Sequence, residues 1–272
     1  MSRRVLPGFK TSLGFTIAYL ALLLLVPMAA CLYKASSLSG EQFVNAVWTA
    51  RTRAAYQFTL EVSVYSATAS VVFGLLVAWV LVRYEFPLKR LFDSLIDLPF
   101  ALPTAVAGLV YSSLYVKQGW LGQFLVPLGI EAAYSKLAVV LVLTFLGLPF
   151  VVRAIQPVLE TIDADTEEAA FLLGASRLQT FLRVILPAIL PATVTGFALS
   201  FARSLGEYGS VVFVSGNMPF KTEIAPVLIV SRLEEFKYAE ATAIAVVLLG
   251  LSLVMLLVIN KLERWSTATA AK

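Results

Sequence analysis

Two charged residues lie inside an otherwise apolar stretch in the second half of the chain. Arg203 and Glu207 are four residues apart in the run Ala188–Val214, and Ser200 and Ser204 lie close to the same face of a helix. An unpaired arginine at the centre of a bilayer costs about 2.5–3.5 kcal/mol on insertion scales, so its side chain has to face protein or water. The residues therefore indicate either a pathway or gate for an anion or a structural ion pair. The ion pair is favoured, because Glu207 would offset the positive charge that an anion needs.

Prolines interrupt another apolar run and give a second set of candidate residues. Pro99 and Pro103 lie at the start of Leu98–Val116, and Thr104 adds a hydroxyl group. Irregular backbone at membrane depth is tolerated where it is buried in protein or lines a cavity. Pro103 and Thr104 are therefore candidates for the lining of a pathway, and a kink that packs on a partner subunit is an equal alternative.

A polar stretch, Ser215–Lys237, follows the run that contains Arg203. It includes Asn217 together with several charged residues. We expect it to face away from the cytoplasm, either as a surface that receives a binding protein or as a solvated loop with a short amphipathic helix. Asn217, near its beginning, is the last candidate for the pathway or its gate.

The composition excludes several classes of chemistry. The chain has no histidine and a single cysteine, Cys31, which excludes histidine acid–base catalysis, an internal disulfide and a Cys/His zinc site. It has no GxxxxGK[ST] loop to hold the phosphates of ATP. The net charge is +4, but the basic residues are scattered in ones and twos, which argues against nucleic-acid binding. We expect no catalytic residue, no metal site and no cofactor bound by this chain.

The stretch DTEEAAFLLGASRLQTFLRVILPAILP, residues 165 to 191, separates two apolar runs. Asp163 or Asp165 can cap a helix, and Glu168 follows Asp165 at the spacing of a capping box. Gly174 can take the left-handed conformation that ends a helix. Ser176 can cap a second helix, predicted to run from Arg177 to Leu186 and to end before Pro187 and Pro191. The stretch predicts a short helix, a sharp turn and a second helix.

The short helix has an apolar surface that needs a partner. Ala169 and Ala170 allow close approach, and Phe171, Leu172 and Leu173 add apolar area. Such a helix fits the groove of a partner protein, or it lies on the bilayer surface with its apolar side among lipid headgroups. The residue types alone leave both alternatives open.

The elements that position these residues are membrane spans. Of 272 residues, 59% are hydrophobic and 14% charged, against about 25% charged in soluble domains, so most of the surface faces lipid. A spanning helix needs about 20 apolar residues. Six runs qualify, which predicts an all-α membrane protein with one domain over residues 1–272. They are Leu13–Tyr33, Val62–Val82, Leu98–Val116, Leu137–Pro157, Ala188–Val214 and Ala241–Asn260.

Lysine and arginine predict the orientation of the spans. The side that contains the N-terminus holds more of these residues than the opposite side, and cytoplasmic loops carry this excess. We therefore predict that both termini are cytoplasmic. The stretch from residue 165 to residue 191 then lies in the cytoplasm between spans four and five.

The same stretch resembles a known loop. Glu168, Ala169, Ala170 and Gly174, followed after nine residues by Val184-Ile185-Leu186-Pro187, are similar to the EAA loop of importer-type ABC transporter permeases, with Val184 where that family has isoleucine. The resemblance implies a type I ABC importer permease fold. It also implies that Glu168 to Gly174 form a coupling helix between spans four and five, which docks on an ATP-binding subunit.

Three further stretches resemble the sulfate/thiosulfate permease subunits of the CysT type. They are Arg83–Asp93, Leu98–Leu109 and Ala202–Pro226. The resemblance implies a bacterial inner-membrane complex with a homologous permease subunit, two ATP-binding subunits that carry the ATP, and a periplasmic sulfate/thiosulfate-binding protein. The alternative function is an autonomous secondary anion transporter or channel. The lack of inverted repeats and the otherwise unexplained loop argue against it.

Overall fold

The computed structural model describes residues 8–270, apart from the side chains of Ala164 and of residues 262–270. Arg3 and Arg4, which contribute to the predicted orientation, lie outside the described residues. The described part of the chain is helical, which confirms the all-α prediction. Its helices are α1 (Phe9–Ala35), α2 (Gly40–Val47), α3 (Ala50–Arg83), α4 (Lys89–Ile96), α5 (Leu98–Ala101), α6 (Thr104–Tyr115), α7 (Gly122–Leu125), α8 (Lys136–Thr161), α9 (Ala164–Leu172), α10 (Arg177–Leu205), α11 (Val211–Val214), α12 (Ala225–Glu234) and α13 (Tyr238–Ala270).

Five of the described helices are long and apolar enough to cross a membrane. They are α1, α3, α8, α10 and α13, and each overlaps one of the predicted spans. Lipid offers no partner for free backbone groups, which is why continuous helices form wherever the sequence is uniformly apolar. The chain is therefore a multi-pass membrane protein.

The predicted third span, Leu98–Val116, is divided between two short helices. Leu102 is extended, with ψ 132°, and Pro103 precedes the first residue of α6. A proline disfavours helical backbone in the residue before it, so the break falls at Leu102. The 12 residues of α6 extend only about 18 Å, less than the hydrocarbon core of about 30 Å. The count of six spans stays a prediction.

Helix α10 begins at Arg177 as predicted but differs from its prediction in two other places. The expected end before Pro187 is wrong, because the helix continues through Pro187 and Pro191. A π-helical turn, Phe181–Ile185, precedes Pro187, which then lies in the first turn of a new α-helical segment. The missing N–H of proline costs little in a first turn. The expected continuation to Val214 is also wrong, because α10 ends at Leu205, before Gly206.

Three of the long helices, α3, α8 and α10, pack against one another through glycine. A Cβ atom added to Gly196 of α10 would lie 2.9 Å from the Cα of Val151 in α8, and one added to Gly74 of α3 would lie 2.7 Å from the Cγ1 of Val151. Gly147 of α8 likewise faces the hydroxyl of Ser200. Lipid gives helices no hydrophobic reason to associate, so close backbone approach at small residues supplies the contact energy. We call α3, α8 and α10 the central bundle.

This packing predicts unequal effects for one substitution at two glycines. Gly196→Ala should destabilise the chain by about 1–3 kcal/mol, because the new methyl group meets backbone that cannot move aside. Gly250→Ala in α13 is the matched control, since a Cβ there meets nothing within 4 Å. Denaturation of both variants in detergent measures the difference. Equal midpoints would contradict the close packing.

Candidate coupling loop and membrane pathway

Helix α9 begins in an acidic segment, but neither of the predicted capping side chains caps it. The residue before the helix is Asp163, and its side chain makes no capping hydrogen bond. The expected capping by Asp163 or Asp165 is therefore wrong. Asp165 and Glu167 instead lie within the first turn, where negative charge complements the positive end of the helix without a specific bond.

The end of α9 has the turn that the sequence predicts. Gly174 has φ +84°, in the left-handed region. The N–H of Gly174 donates to the carbonyl of Phe171 at 2.9 Å, and the N–H of Ala175 donates to the carbonyl of Ala170 at 3.0 Å. These two bonds form a Schellman motif, which satisfies carbonyls that the helix end would leave free. The chain reverses direction within a few residues.

The second helix of the loop begins with the predicted cap. Ser176 and Gln179 form a capping box, in which the N–H of Ser176 donates to the Gln179 side chain at 2.8 Å and the N–H of Gln179 donates to the Ser176 hydroxyl at 3.3 Å. Helix α9 is thus held between α8 and α10 by short, well-defined turns.

The apolar tip of α9 projects away from the rest of the chain. Phe171 is 72% exposed, Leu172 85% and Leu173 88%. Glu168 and Ala169 are also exposed, and Ala170 is half-buried. Three neighbouring apolar side chains with this exposure form a surface typical of a protein or membrane contact.

An arginine that the sequence analysis did not single out fixes the base of this loop. Arg83, at the end of α3, forms an ion pair with Glu167 at 2.6 Å, and its terminal nitrogens approach the carbonyl oxygen of Ile162 at 3.3 and 3.4 Å. The guanidinium also lies 5.8 Å from the ring centroid of Trp79, where cation–π attraction contributes. The sequence signal was the acidic run itself, since Glu167 needs a basic partner.

Arg203 and Glu207 form the predicted ion pair, although Glu207 lies beyond the end of α10. The carboxylate of Glu207 is 3% exposed, and it also accepts from the N–H of Ser210 at 2.9 Å and from the Ser210 hydroxyl at 3.0 Å. It thereby stabilises the turn between α10 and α11. Arg203 is 33% exposed, and its other N–H groups have no partner among the described residues.

The two serines of this region lie in a helix interface. Ser204 of α10 shares a hydrogen bond of 3.0 Å with Ser66 of α3, and Ser200 lies against Gly147 of α8. Both serines are buried within the central bundle. The two serines therefore contribute to the helix interface, whereas the guanidinium of Arg203 is partly exposed. Their role in a pathway stays a prediction.

The break in the third span packs against the segment that follows α10. The hydroxyl of Thr104 faces Gly209, and Gly108 faces the backbone of Ser210, so closely that neither glycine has room for a Cβ atom. Ser112 adds a hydrogen bond to the carbonyl of Phe213 at 2.7 Å. Pro103 and Thr104 are thus brought near the turn that Glu207 stabilises.

Asn217 lies in the turn that follows the short helix α11. Its backbone is left-handed, with φ +50°, its side-chain amide donates to the carbonyl of Val212 at 3.0 Å, and its side-chain oxygen accepts from Ser215 at 2.8 Å. Asn217 therefore supports the local turn, and a role in the gate stays a prediction.

Ion pairs fix the rest of the polar stretch. Glu223 is 3% exposed and accepts two hydrogen bonds from the guanidinium of Arg51, at 2.6 and 2.8 Å. Glu235 lies within 2.9 Å of Lys237 and 2.7 Å of Arg232, and these cations hold the pKa of Glu235 below its usual range. Ion pairs within the segment and one to α3 therefore stabilise it.

Comparison with known proteins identifies relatives of this chain. Residues 70–267 match the family model described as the binding-protein-dependent transport system inner membrane component. The chain is 48% identical over 262 residues to the sulfate transport system permease protein CysT of Salmonella typhimurium, covering 96% of this chain and 95% of that protein. The protein of the same name from Synechocystis sp. is 49% identical over 250 residues, covering 92% of this chain and 87% of that protein.

A solved structure shares the fold. A bacterial ABC transporter involved in the import of the acidic polysaccharide alginate has a chain that superposes with a TM-score of 0.75. The superposition covers 94% of each chain at 18% sequence identity. At that identity the likeness concerns the fold, which is that of an ABC importer permease. The match over residues 70–267 shows that the chain belongs to the family of inner membrane components of binding-protein-dependent transport systems.

Proposed function

We propose that the chain is the membrane permease subunit of an ATP-driven importer of sulfate or thiosulfate. One observation carries the proposal. A short helix with an exposed apolar tip stands between two long spans, in a chain 48% identical to a sulfate transport permease over 96% of its length. The alternative, an autonomous secondary anion transporter or channel, gives this helix no partner and finds no support in the comparisons.

The proposed assembly contains a homologous permease subunit, two ATP-binding subunits and a periplasmic sulfate/thiosulfate-binding protein. ATP binds to the ATP-binding subunits, and this chain contributes the residues from Glu168 to Gly174 as the coupling helix. The complex lies in a bacterial inner membrane with both termini of this chain in the cytoplasm. The excess of lysine and arginine on that side supports the orientation.

The structure supports a mechanical role for α9. Its two ends continue into α8 and α10 through short turns, and Arg83 joins it to α3. All three helices belong to the central bundle, where glycine contacts leave little room for sliding. A force applied to the tip of α9 by an ATP-binding subunit is therefore delivered to the whole bundle.

We propose that the pathway for the anion includes the region where the start of α6 meets the turn between α10 and α11. Arg203 has N–H groups without a partner among the described residues, and the hydroxyl of Thr104 is likewise unbonded there. Free N–H and O–H groups can donate hydrogen bonds to the oxygens of a tetrahedral anion, whereas an arginine whose donors are all bonded cannot. The ion pair with Glu207 limits this attraction, so contact with the anion belongs to a state in which the pair has opened.

Docking of the apolar tip is tested by a charge placed on it. Leu173→Glu should abolish co-purification of this chain with its ATP-binding subunits, because a carboxylate cannot enter an apolar groove without losing its hydration. Leu128→Glu is the control, since Leu128 is an exposed leucine (73%) far from the loop in sequence. Unchanged recovery of ATP-binding subunits with Leu173→Glu would refute docking through this tip.

The turn at Gly174 is tested by two substitutions of different backbone preference. Gly174→Val should uncouple ATP hydrolysis from sulfate uptake, because the left-handed backbone costs a non-glycine residue about 1–2 kcal/mol and a β-branched residue tolerates it worst. Gly174→Asn should retain much of the coupling, since asparagine visits this region readily. A Cβ atom at Gly174 would meet nothing within 4 Å in this chain, and valine and asparagine are of similar size, so the two variants differ chiefly in backbone preference. Paired uptake and hydrolysis assays in proteoliposomes measure the ratio, and equal ratios for valine and asparagine would contradict a role for the turn.

A further inference from the structure

Arg153 of α8 has every N–H donor of its guanidinium bonded. Nε and one terminal nitrogen donate to the two carboxylate oxygens of Asp97 at 3.0 and 2.7 Å. The same terminal nitrogen donates to the main-chain carbonyl of Asp93 at 2.9 Å. The other donates to the Asp93 carboxylate at 2.7 Å and to the Gln156 side chain at 2.8 Å. A guanidinium has five N–H donors, so none remains for a passing anion.

This cluster connects α8, which leads to α9, with the segment that leads to Pro103. Arg153 lies eight residues before Thr161, the last residue of α8, or about 12 Å along the helix axis. Helix α9 begins at Ala164. Asp93 lies in α4 and Asp97 directly after it, in the segment that leads to Pro103. We call Lys89–Ala101 the elbow.

Apolar contacts hold the elbow against α8 on either side of the cluster. Ile96 is buried in the same core as Val152 and Ile155 of α8. The ring of Phe100 meets the ring of Phe150 edge to face, with centroids 5.1 Å apart. Such contacts resist separation but tolerate small changes of angle. The planar guanidinium, bonded to two carboxylates in fixed directions, restricts the angle as well.

The charges of the cluster favour an intact connection between the elbow and α8. The side chains of Arg153, Asp93 and Asp97 are between 34% and 46% exposed, and in water such pairs contribute little. Here the arginine lies within a membrane-spanning helix, where an unpaired charge is strongly disfavoured. Separation of Arg153 from its two partners is therefore disfavoured.

We infer that Arg153 is a positioning residue that makes the elbow move with α8. Displacement of the coupling helix α9 then passes along α8 and through Arg153 to the segment that carries Pro103 and Thr104. This inference rests on the proposed function, because it concerns how ATP-driven motion reaches the pathway. It adds a second route beside that through the central bundle.

The test compares variants of the full complex in proteoliposomes with the binding protein present. Arg153→Lys keeps the positive charge but cannot bridge two carboxylates in a fixed plane. ATP hydrolysis should remain near the level of the unmodified complex, while sulfate imported per ATP falls about tenfold, within the range of coupling effects of single residues. Lys89→Gln is the control. It breaks the ion pair between Lys89, the first residue of the elbow, and Glu85, and it should leave the ratio of sulfate to ATP unchanged.

A merely stabilising role gives a different result. In that case the yield of complex, the hydrolysis and the uptake all fall together with Arg153→Lys, and the ratio of sulfate to ATP stays constant. That outcome overturns the inference, as does an unchanged ratio at full activity. Asp97→Asn provides a second variant with the same expected loss of ratio, since it removes one charge and keeps the shape.

Spin-label distances test the connection without relying on transport. Labels at Ser94 in the elbow and Thr161 at the end of α8, with Cys31→Ser, report their separation with and without ATP. We expect one narrow distance in both states and a broadened distribution with Arg153→Lys. A distance that changes with ATP, or that ignores Arg153→Lys, overturns the inference. An unmodified complex without ATP-dependent uptake would instead refute the proposed function.

Discussion

The close approach of α3, α8 and α10 at glycine is the constraint on which the rest of the molecule depends. Val151 lies against both Gly74 and Gly196, so one side chain of α8 touches the backbone surface of its two neighbours. Helices in lipid gain no hydrophobic energy by associating, and they rely on contact at small residues and on a few hydrogen bonds. The bond between Ser66 and Ser204 is one of these. Such close packing leaves α3, α8 and α10 little room to slide past one another.

The loop helix α9 is attached to this bundle. It is short and exposed, and it owes its position to the turn at Gly174, the capping box at Ser176 and the ion pair between Arg83 and Glu167. The turn and the capping box connect α9 to α10, and the ion pair connects it to α3. The apolar tip formed by Phe171, Leu172 and Leu173 is exposed. This exposure, together with the resemblance of the sequence to a coupling loop, is the basis on which we propose that α9 passes force into the membrane.

Local chemistry made much of this predictable. Uniform hydrophobicity located five helices of spanning length, and Gly174 and Ser176 marked the turns because their preferences depend on neighbouring backbone alone. Prediction failed where one local rule offset another. A helix was expected to end before Pro187, but a π turn placed that proline in a first turn, where it is tolerated. Similarly, Gly206 ended α10 before Glu207, which the four-residue spacing had placed on the same helix.

Interactions between distant residues were beyond the reach of the sequence. Arg153 lies 56 residues from Asp97 and 60 from Asp93, and only the packing of the elbow on α8 brings them together. Arg83 finds Ile162 across 79 residues for the same reason. Packing between distant residues also placed the predicted pathway residues in two different environments. Packing buried Ser200 and Ser204 in the central bundle, while it brought Thr104 to the turn near Glu207.

The most direct test is sulfate uptake into proteoliposomes that contain this chain with its partner permease and ATP-binding subunits. ATP is supplied on the side of the ATP-binding subunits and the binding protein on the opposite side. If the chain converts the motion of α9 into transport, labelled sulfate accumulates only when both are present. Uptake that proceeds without ATP and follows an ion gradient would contradict that conclusion and identify a secondary transporter.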